Sequence, residues 1–145
     1  LTIYSLNLDN PLIVHYLSIC ENSKTITISE KYLLLKEIVL FLNQNLSEMN
    51  IAVIFGSAVQ DIKKANDIDL LICGKSEIKR TVDDFAEKIN RKIHLVNVPS
   101  LESISPALKN EILKKHLIVQ GTEMVLKWLI MKREYGVRPR EMELS

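Results

Sequence analysis

Two aspartates separated by one residue are the most chemically suggestive feature of the sequence. Asp67 and Asp69 lie in an otherwise apolar stretch that ends at Ile72. If this stretch is a β-strand, both carboxylates project from the same face and can reach a common point. Mg²⁺ prefers oxygen ligands and completes its octahedron with water and substrate phosphates. The pair therefore predicts a divalent-cation site, and an acid pair that only faces solvent or caps a helix is the alternative.

A glycine and a serine precede the aspartates by about ten residues. Gly56 and Ser57 follow five consecutive apolar residues, 51–55, a run typical of a strand buried on both faces. Glycine permits a tight turn from a strand into a helix, and a hydroxyl near a helix N-terminus can hold a phosphate together with backbone N–H groups. We therefore predict that an anion binds beside the cation.

This order of features resembles the DNA polymerase β nucleotidyltransferase superfamily, especially its minimal prokaryotic members. The resemblance implies that Gly56 and Ser57 contact the β- and γ-phosphates of a nucleoside triphosphate such as ATP. It also implies that Asp67 and Asp69 are catalytic and bind Mg²⁺ or Mn²⁺. The implied reaction is attack by an acceptor hydroxyl on the α-phosphorus, with release of pyrophosphate. Neither the acceptor nor the base preference is encoded in these motifs.

Two features depart from the pattern of that family. The residues after Ser57 include no arginine, so Lys63 or its neighbour Lys64 is the candidate phosphate contact, with a simply solvated lysine pair as the alternative. Active members also supply a third carboxylate from a neighbouring strand. The strand expected to provide it, residues 92–98, contains no acid, and His94 and Asn97 are the candidates for its position. The sequence thus predicts nucleotide binding and leaves catalysis open.

Hydrophobic periodicity predicts the elements that position these residues. Strands are predicted at residues 1–7, 51–55, 68–72, 92–98 and 117–119, and helices at 11–20, 30–46, 77–90, 106–115 and 122–133. Residues 25–28 alternate as in a strand but are too few to assign. The fold class is therefore α/β (α+β), with a small mixed β-sheet flanked by helices. The resemblance specifies the polymerase β-like fold with an N-terminal strand and helix extension.

The chain divides into two segments by these criteria. Residues 1–25 form an N-terminal strand and connector helix, and residues 26–145 form the nucleotidyltransferase-like domain. Residues 4–12 and 111–123 resemble parts of archaeal proteins that join a winged helix to such a domain. We therefore interpret residues 1–25 as the remnant of an upstream winged-helix domain, through which DNA is a candidate partner.

Composition limits the remaining possibilities. The chain has 145 residues, 47% of them apolar, and a formal net charge of +1, which suits one compact domain without a field that attracts nucleic acid. No apolar run reaches the roughly 18 residues of a membrane helix, and no secretory signal is present, so we predict a cytoplasmic protein without a membrane partner. Cys20 and Cys73 are predicted to be buried, and His15 is predicted to pack in the core.

Three functions follow from the sequence. The first is a nucleotidyltransferase. The second is a nucleotide-binding, catalytically silent domain that regulates an attached DNA-binding module. The third is the antitoxin of a toxin–antitoxin pair, since minimal nucleotidyltransferases often partner a small helical protein. A homodimer is a candidate assembly, because a second copy would cover the apolar face of the helix at residues 11–20.

Overall fold

One mixed β-sheet organises the part of the chain that the computed structural model describes, residues 7–130. Its strands are β1 (Ile51–Phe55), β2 (Asp67–Cys73), β3 (Lys92–Val98) and β4 (His116–Gln120). The spatial order is β3-β2-β1-β4. Strand β1 runs antiparallel to both of its neighbours, and β2 and β3 are parallel. The predicted small mixed sheet is confirmed, and each of these four strands contains the residues predicted from the sequence.

Helices cover both faces of this sheet. They are α1 (Ile13–Lys31), α2 (Leu33–Asn45), α3 (Ser57–Gln60), α4 (Lys79–Ile89) and α5 (Pro106–Lys114), with a further helix at residues 122–130. None of the helices within residues 7–130 combines the length and the apolarity needed to cross a bilayer. The strand predicted at 1–7, apart from Asn7, and residues 131–133 of the last predicted helix lie outside the described residues.

Strand β1 is buried on both faces because it separates two hydrophobic clusters. Ala52 and Ile54 belong to a cluster that includes the buried side of α2, whereas Val53 and Phe55 belong to a second cluster that includes Trp128. Successive side chains of a strand point to opposite faces, so a strand between two helical layers must be apolar at every position. This burial holds the end of β1, and with it the following residue Gly56, in a fixed position.

The first helix is longer than predicted. Residues 25–28, whose alternation suggested a strand, are helical, and α1 ends only at Lys31. The Thr25 hydroxyl lies 3.1 Å from the Glu21 carbonyl of its own helix and 3.0 Å from the Ile118 carbonyl of β4. A threonine can satisfy its hydroxyl within a helix in this way, so a short alternation of threonine and isoleucine does not require a strand.

A break at Tyr32 separates two helices where the sequence predicted one continuous helix from residue 30. Tyr32 has φ −122° and ψ 114°, an extended conformation, and α2 begins at Leu33. The break lets α1 lie along β4 while α2 packs on the hydrophobic cluster that contains Ala52 and Ile54. The buried side chains of α2 are Leu35, Ile38 and Leu42, spaced as in the predicted amphipathic helix.

Candidate functional site

The register of the sheet brings Asp67, Asp69 and His94 together. Asp69 is paired with His94 across the parallel β2–β3 ladder. The His94 Nδ1 atom lies 3.4 Å from Asp69 Oδ1, and its Nε2 atom lies 3.7 Å from Asp67 Oδ2. All three side chains are partly exposed to solvent. The two carboxylates therefore share one face of β2, and His94 is on the strand that was expected to supply a third carboxylate.

Gly56 lies directly against the Asp69 carboxylate. Phe55 pairs with Asp69 in the antiparallel β1–β2 ladder, so the turn that follows β1 passes beside Asp69. Gly56 has φ +74° and ψ −151°, a region that is essentially restricted to glycine. A Cβ atom at this position would lie 2.6 Å from Asp69 Oδ2. Glycine is thus required both for the backbone conformation and for the space that the carboxylate occupies.

Ser57 begins the single-turn helix α3 and lines a cleft together with the three side chains described above. The cleft is open to solvent and has a volume of about 790 Å³, which is within the range of small-molecule sites. Its other lining residues are Gln60, Asp61, Lys64, Ala65 and Asn66. The structure therefore brings Ser57, Asp67, Asp69 and His94 to one concave surface, and Gly56 forms the turn beside it.

Lys64 lines the cleft, whereas Lys63 does not. The Lys63 Nζ atom lies 5.5 Å from the centroid of the ring of Tyr32, the residue at the break between α1 and α2. The Lys64 ammonium is largely exposed and lies 4.0 Å from the Asp61 carboxylate. Of the two lysines considered from the sequence, Lys64 is the one placed to meet an anion in the cleft.

Asn97 is not brought to the aspartates. It pairs with Ile72 near the other end of β2, and it is three residues from His94, so the two side chains point to opposite faces of the sheet. Its amide donates a hydrogen bond of 3.2 Å to the Ser76 carbonyl. Between the two residues suggested for the third-carboxylate position, only His94 reaches the cluster.

The acidic character of the cleft fits a divalent cation. Asp61, Asp67 and Asp69 outnumber the single cation Lys64 among its lining residues. Within residues 7–130, no group of three or more His, Cys, Asp or Glu side chains has the geometry of a complete metal site. Mg²⁺ commonly uses only one or two protein carboxylates and takes its remaining ligands from water and substrate phosphates. The Asp67 and Asp69 pair fits a cation completed in this manner.

Three polar residues of the cleft were not assigned a role from the sequence: Gln60, Asp61 and Asn66. Asp61 Oδ1 accepts hydrogen bonds from the backbone N–H groups of Lys63 (3.1 Å) and Lys64 (3.3 Å), which shapes the loop before β2. An aspartate two residues before a loop lysine is a recognisable turn signal and could have indicated this role. Gln60 Oε1 accepts a hydrogen bond of 2.7 Å from Lys115 Nζ, a long-range contact without a local sequence signal.

His116 and Glu21 form a partly buried polar contact away from the cleft. The His116 Nδ1 atom lies 2.8 Å from the Ile112 carbonyl, and its Nε2 atom lies 3.2 Å from Glu21 Oε1. Burial raises the pKa of Glu21, but the hydrogen bonds from His116 and Lys24 outweigh it and lower the pKa to about 2. These contacts tie α1 to the start of β4, so His116 has a structural role in the fold.

Two burial predictions for α1 are wrong. Cys20 is exposed, although Cys73 is buried as predicted. The His15 imidazole is exposed and lies 3.3 Å from the Glu123 carboxylate instead of packing in the core. The prediction for Cys20 rested on the usual burial of free cysteines, whereas the prediction for His15 rested on helical spacing, which locates an apolar face without stating whether that face is turned inward.

Comparisons with known proteins identify a family from the sequence and a fold from solved structures. The family model described as "Polymerase beta, Nucleotidyltransferase" matches residues 36–123. The solved structure of a toxin–antitoxin with AMP-PNP is similar to the chain at 20% identity and a TM-score of 0.52, covering 74% of this chain and 93% of that one. A mutant MntA-HpeT toxin–antitoxin structure is similar at 19% identity and a TM-score of 0.52, covering 74% and 93%. No curated protein sequence matches. At these identities the structures establish the fold alone.

Proposed function

The chain belongs to the polymerase β nucleotidyltransferase family, and from this membership we propose that it transfers a nucleoside monophosphate from ATP or another nucleoside triphosphate to a hydroxyl acceptor. The proposed reaction depends on Mg²⁺ or Mn²⁺. The observation that carries the proposal is the convergence of Asp67, Asp69 and the Gly56 turn at one open acidic cleft. A strand-end acid pair without function would not need a glycine pressed against one of its carboxylates.

In this proposal each residue has a distinct task. Asp67 and Asp69 hold the divalent cation, which neutralises charge on the triphosphate when bound. Gly56 leaves room for the Asp69 carboxylate, and Ser57 and Lys64 contact phosphate oxygens. His94, within 4 Å of both carboxylates, lies beside them on the strand from which other members supply an acid.

Labelled nucleotides test the proposal directly. Purified protein is incubated with α-labelled ATP, GTP, CTP or UTP and Mg²⁺ or Mn²⁺, alone and with protein and RNA fractions of a cell extract. We expect covalent label transfer and pyrophosphate release that the Asp67→Asn variant loses by at least about 100-fold, as expected for loss of a metal-binding carboxylate. Asp84→Asn is the matched control, because Asp84 is an exposed acid on α4 outside the cleft. Equal transfer by Asp67→Asn and wild type would refute the assignment.

A catalytically silent nucleotide sensor is the alternative that the missing third carboxylate favours. Residues 92–98 contain no acid, and an imidazole supplies no anionic charge to Mg²⁺. For such a domain, added nucleotide and Mg²⁺ should raise the melting temperature, and no label should be transferred. If none of the four triphosphates produced either a thermal shift or label transfer, both functions would be eliminated.

An antitoxin role is the other alternative. The similar solved structures are themselves toxin–antitoxins, one of them with AMP-PNP. For this chain the role is tested by coexpression with the product of the adjacent gene. Relief of growth inhibition that depends on Asp67 would join the antitoxin role to the transferase reaction, whereas relief that survives Asp67→Asn would separate the two.

Attachment to a DNA-binding module is proposed on the resemblance of residues 4–12 and 111–123 to archaeal winged-helix fusions. In this interpretation residues 1–25 connect an upstream winged helix to the domain at 26–145, with the boundary inside α1. Determining the sequence upstream of Leu1 and measuring DNA binding of the longer protein tests it.

A further inference from the structure

Helix α1 exposes apolar side chains along one continuous face. Leu12, at its N-cap, and Tyr16, Ile19 and Ile26 are 50%, 56%, 67% and 58% exposed, respectively. At 100° per residue, positions 12, 16, 19, 23 and 26 lie within one stripe, which is about 21 Å long at 1.5 Å per residue. We call these residues, including Ser23, the α1 stripe. Single exposed apolar residues need no explanation, but a stripe of this kind does.

The opposite side of the same helix faces the protein interior and combines the partly buried Val14, Leu17 and Ile28 with polar side chains. Ser18 and Thr25 are the two buried residues of α1, and Glu21 and Lys24 form an ion pair of 2.8 Å beside β4. The exposed positions from 12 to 27 include no Lys, Arg, Asp or Glu, in a chain whose residues are 26% charged. Over residues 12–27, helix α1 therefore turns its two charged side chains toward β4 and the apolar residues of the stripe toward solvent.

We propose that the α1 stripe is a self-association surface, on which α1 of a second copy of this chain packs antiparallel. The two ends of the stripe are equally far from Ile19, with Leu12 seven residues before it and Ile26 seven residues after it. In an antiparallel pair centred on Ile19, Leu12 of one copy faces Ile26 of the other. Tyr16 lies three residues before Ile19 and Ser23 lies four residues after it, so the largest side chain of one copy lies next to the smallest of the other with an offset of about 1.5 Å along the helix. A two-fold axis requires such self-complementarity.

Charge also favours a second copy as the occupant. A two-fold axis places a group that lies at the axis beside its own duplicate, so a charged residue at the centre of the stripe would meet a like charge. The α1 stripe carries no charge, and the exposed His15 at its edge lies beside Glu123 of its own chain. The C-terminal residues 131–145 do not suit the stripe, because most of them are charged or polar. A helical partner protein is the competing occupant and becomes an outcome of the test.

The test is sedimentation equilibrium of the whole chain across a wide concentration range. One helix pair is a small interface, so we expect a dimer with a Kd of roughly 1–100 μM. Ile19→Glu places two carboxylates at the two-fold axis and is expected to weaken association by at least about 100-fold. Leu33→Glu is the matched control, because Leu33 is 72% exposed on α2 outside the α1 stripe and should leave the dimer intact.

Two further measurements fix the geometry. An equimolar mixture of Ile19→Glu and Ile19→Lys should restore association, because opposite charges then meet at the axis. Antiparallel pairing also puts both Cys20 thiols on the same side of the helix pair, displaced by about 3 Å along it, so a short bismaleimide should cross-link two copies. Cys20 is exposed and Cys73 is buried, so no engineered cysteine is needed, and Cys20→Ser is the control.

Each outcome decides the proposal. A wild-type monomer at about 1 mM overturns it and leaves a different protein as the occupant of the stripe. A dimer that persists in Ile19→Glu, or that fails to cross-link through Cys20, overturns it by locating the interface elsewhere. Circular dichroism and the melting temperature of each variant exclude unfolding as the cause of lost association. Nucleotide transfer is not part of the readout, so this result is independent of the proposed function.

Discussion

Replacing Gly56 with alanine should damage the candidate site more than it damages the fold. The new Cβ would lie 2.6 Å from Asp69 Oδ2, a distance that real Cβ atoms essentially never show. The carboxylate must therefore withdraw by roughly 0.5–1 Å to reach ordinary van der Waals separation. The backbone at φ +74° adds a cost of about 1–3 kcal/mol to the folded state. At roughly 3 °C per kcal/mol, the melting temperature should fall by about 3–9 °C.

Gly74→Ala separates these two effects. Gly74 also has a positive φ, +88°, but the nearest atom to an added Cβ would be in the Asn50 side chain, at 3.2 Å, beyond the far end of β2. Both variants carry a backbone penalty, and only Gly56→Ala displaces Asp69. Isothermal titration with Mg²⁺ and a non-hydrolysable ATP analogue should show at least tenfold weaker binding for Gly56→Ala and near wild-type binding for Gly74→Ala. Equal binding by the two variants would refute the reasoning that Gly56 exists to make room for the carboxylate.

Two other perturbations test the electrostatics. The pKa of Glu21 falls from 4.5 in the unfolded chain to about 2 in the fold, so its contribution is complete above pH 4.5 and is lost as the pH falls toward 2. Glu21→Gln should therefore lower the free energy of unfolding by up to about 3 kcal/mol near pH 6 and by progressively less toward pH 3, as measured by urea denaturation; a gap that does not change with pH would contradict this origin. His94→Asp should bind Mg²⁺ roughly tenfold more tightly, since affinity follows the number of anionic ligands, and it should lower the melting temperature of the metal-free protein because three carboxylates then repel one another. Unchanged Mg²⁺ affinity in calorimetry would mean that position 94 does not face the bound cation.

The sequence alone determined the strands and the local shape of the site. Continuous apolar runs at Ile51–Phe55 and around Asp69 identified buried strands, because only a strand between two packed layers is apolar on both faces. The two-residue period of a strand then fixed Asp67 and Asp69 on one face before any tertiary contact was known. The turn at Gly56 was equally local, since few residues other than glycine suit an abrupt change from strand to helix.

Only the tertiary structure decided which residues from elsewhere join that face and which way α1 is turned. His94 rather than Asn97 reaches the aspartates because of the β2–β3 register, and Lys64 rather than Lys63 lines the cleft because of how the loop folds over Tyr32. Periodicity located the apolar face of α1, but the contacts of Glu21, Lys24 and Thr25 with β4, more than 90 residues away, turned that face outward. Local patterns report the spacing of side chains along an element, whereas the partner of each face depends on packing between distant segments.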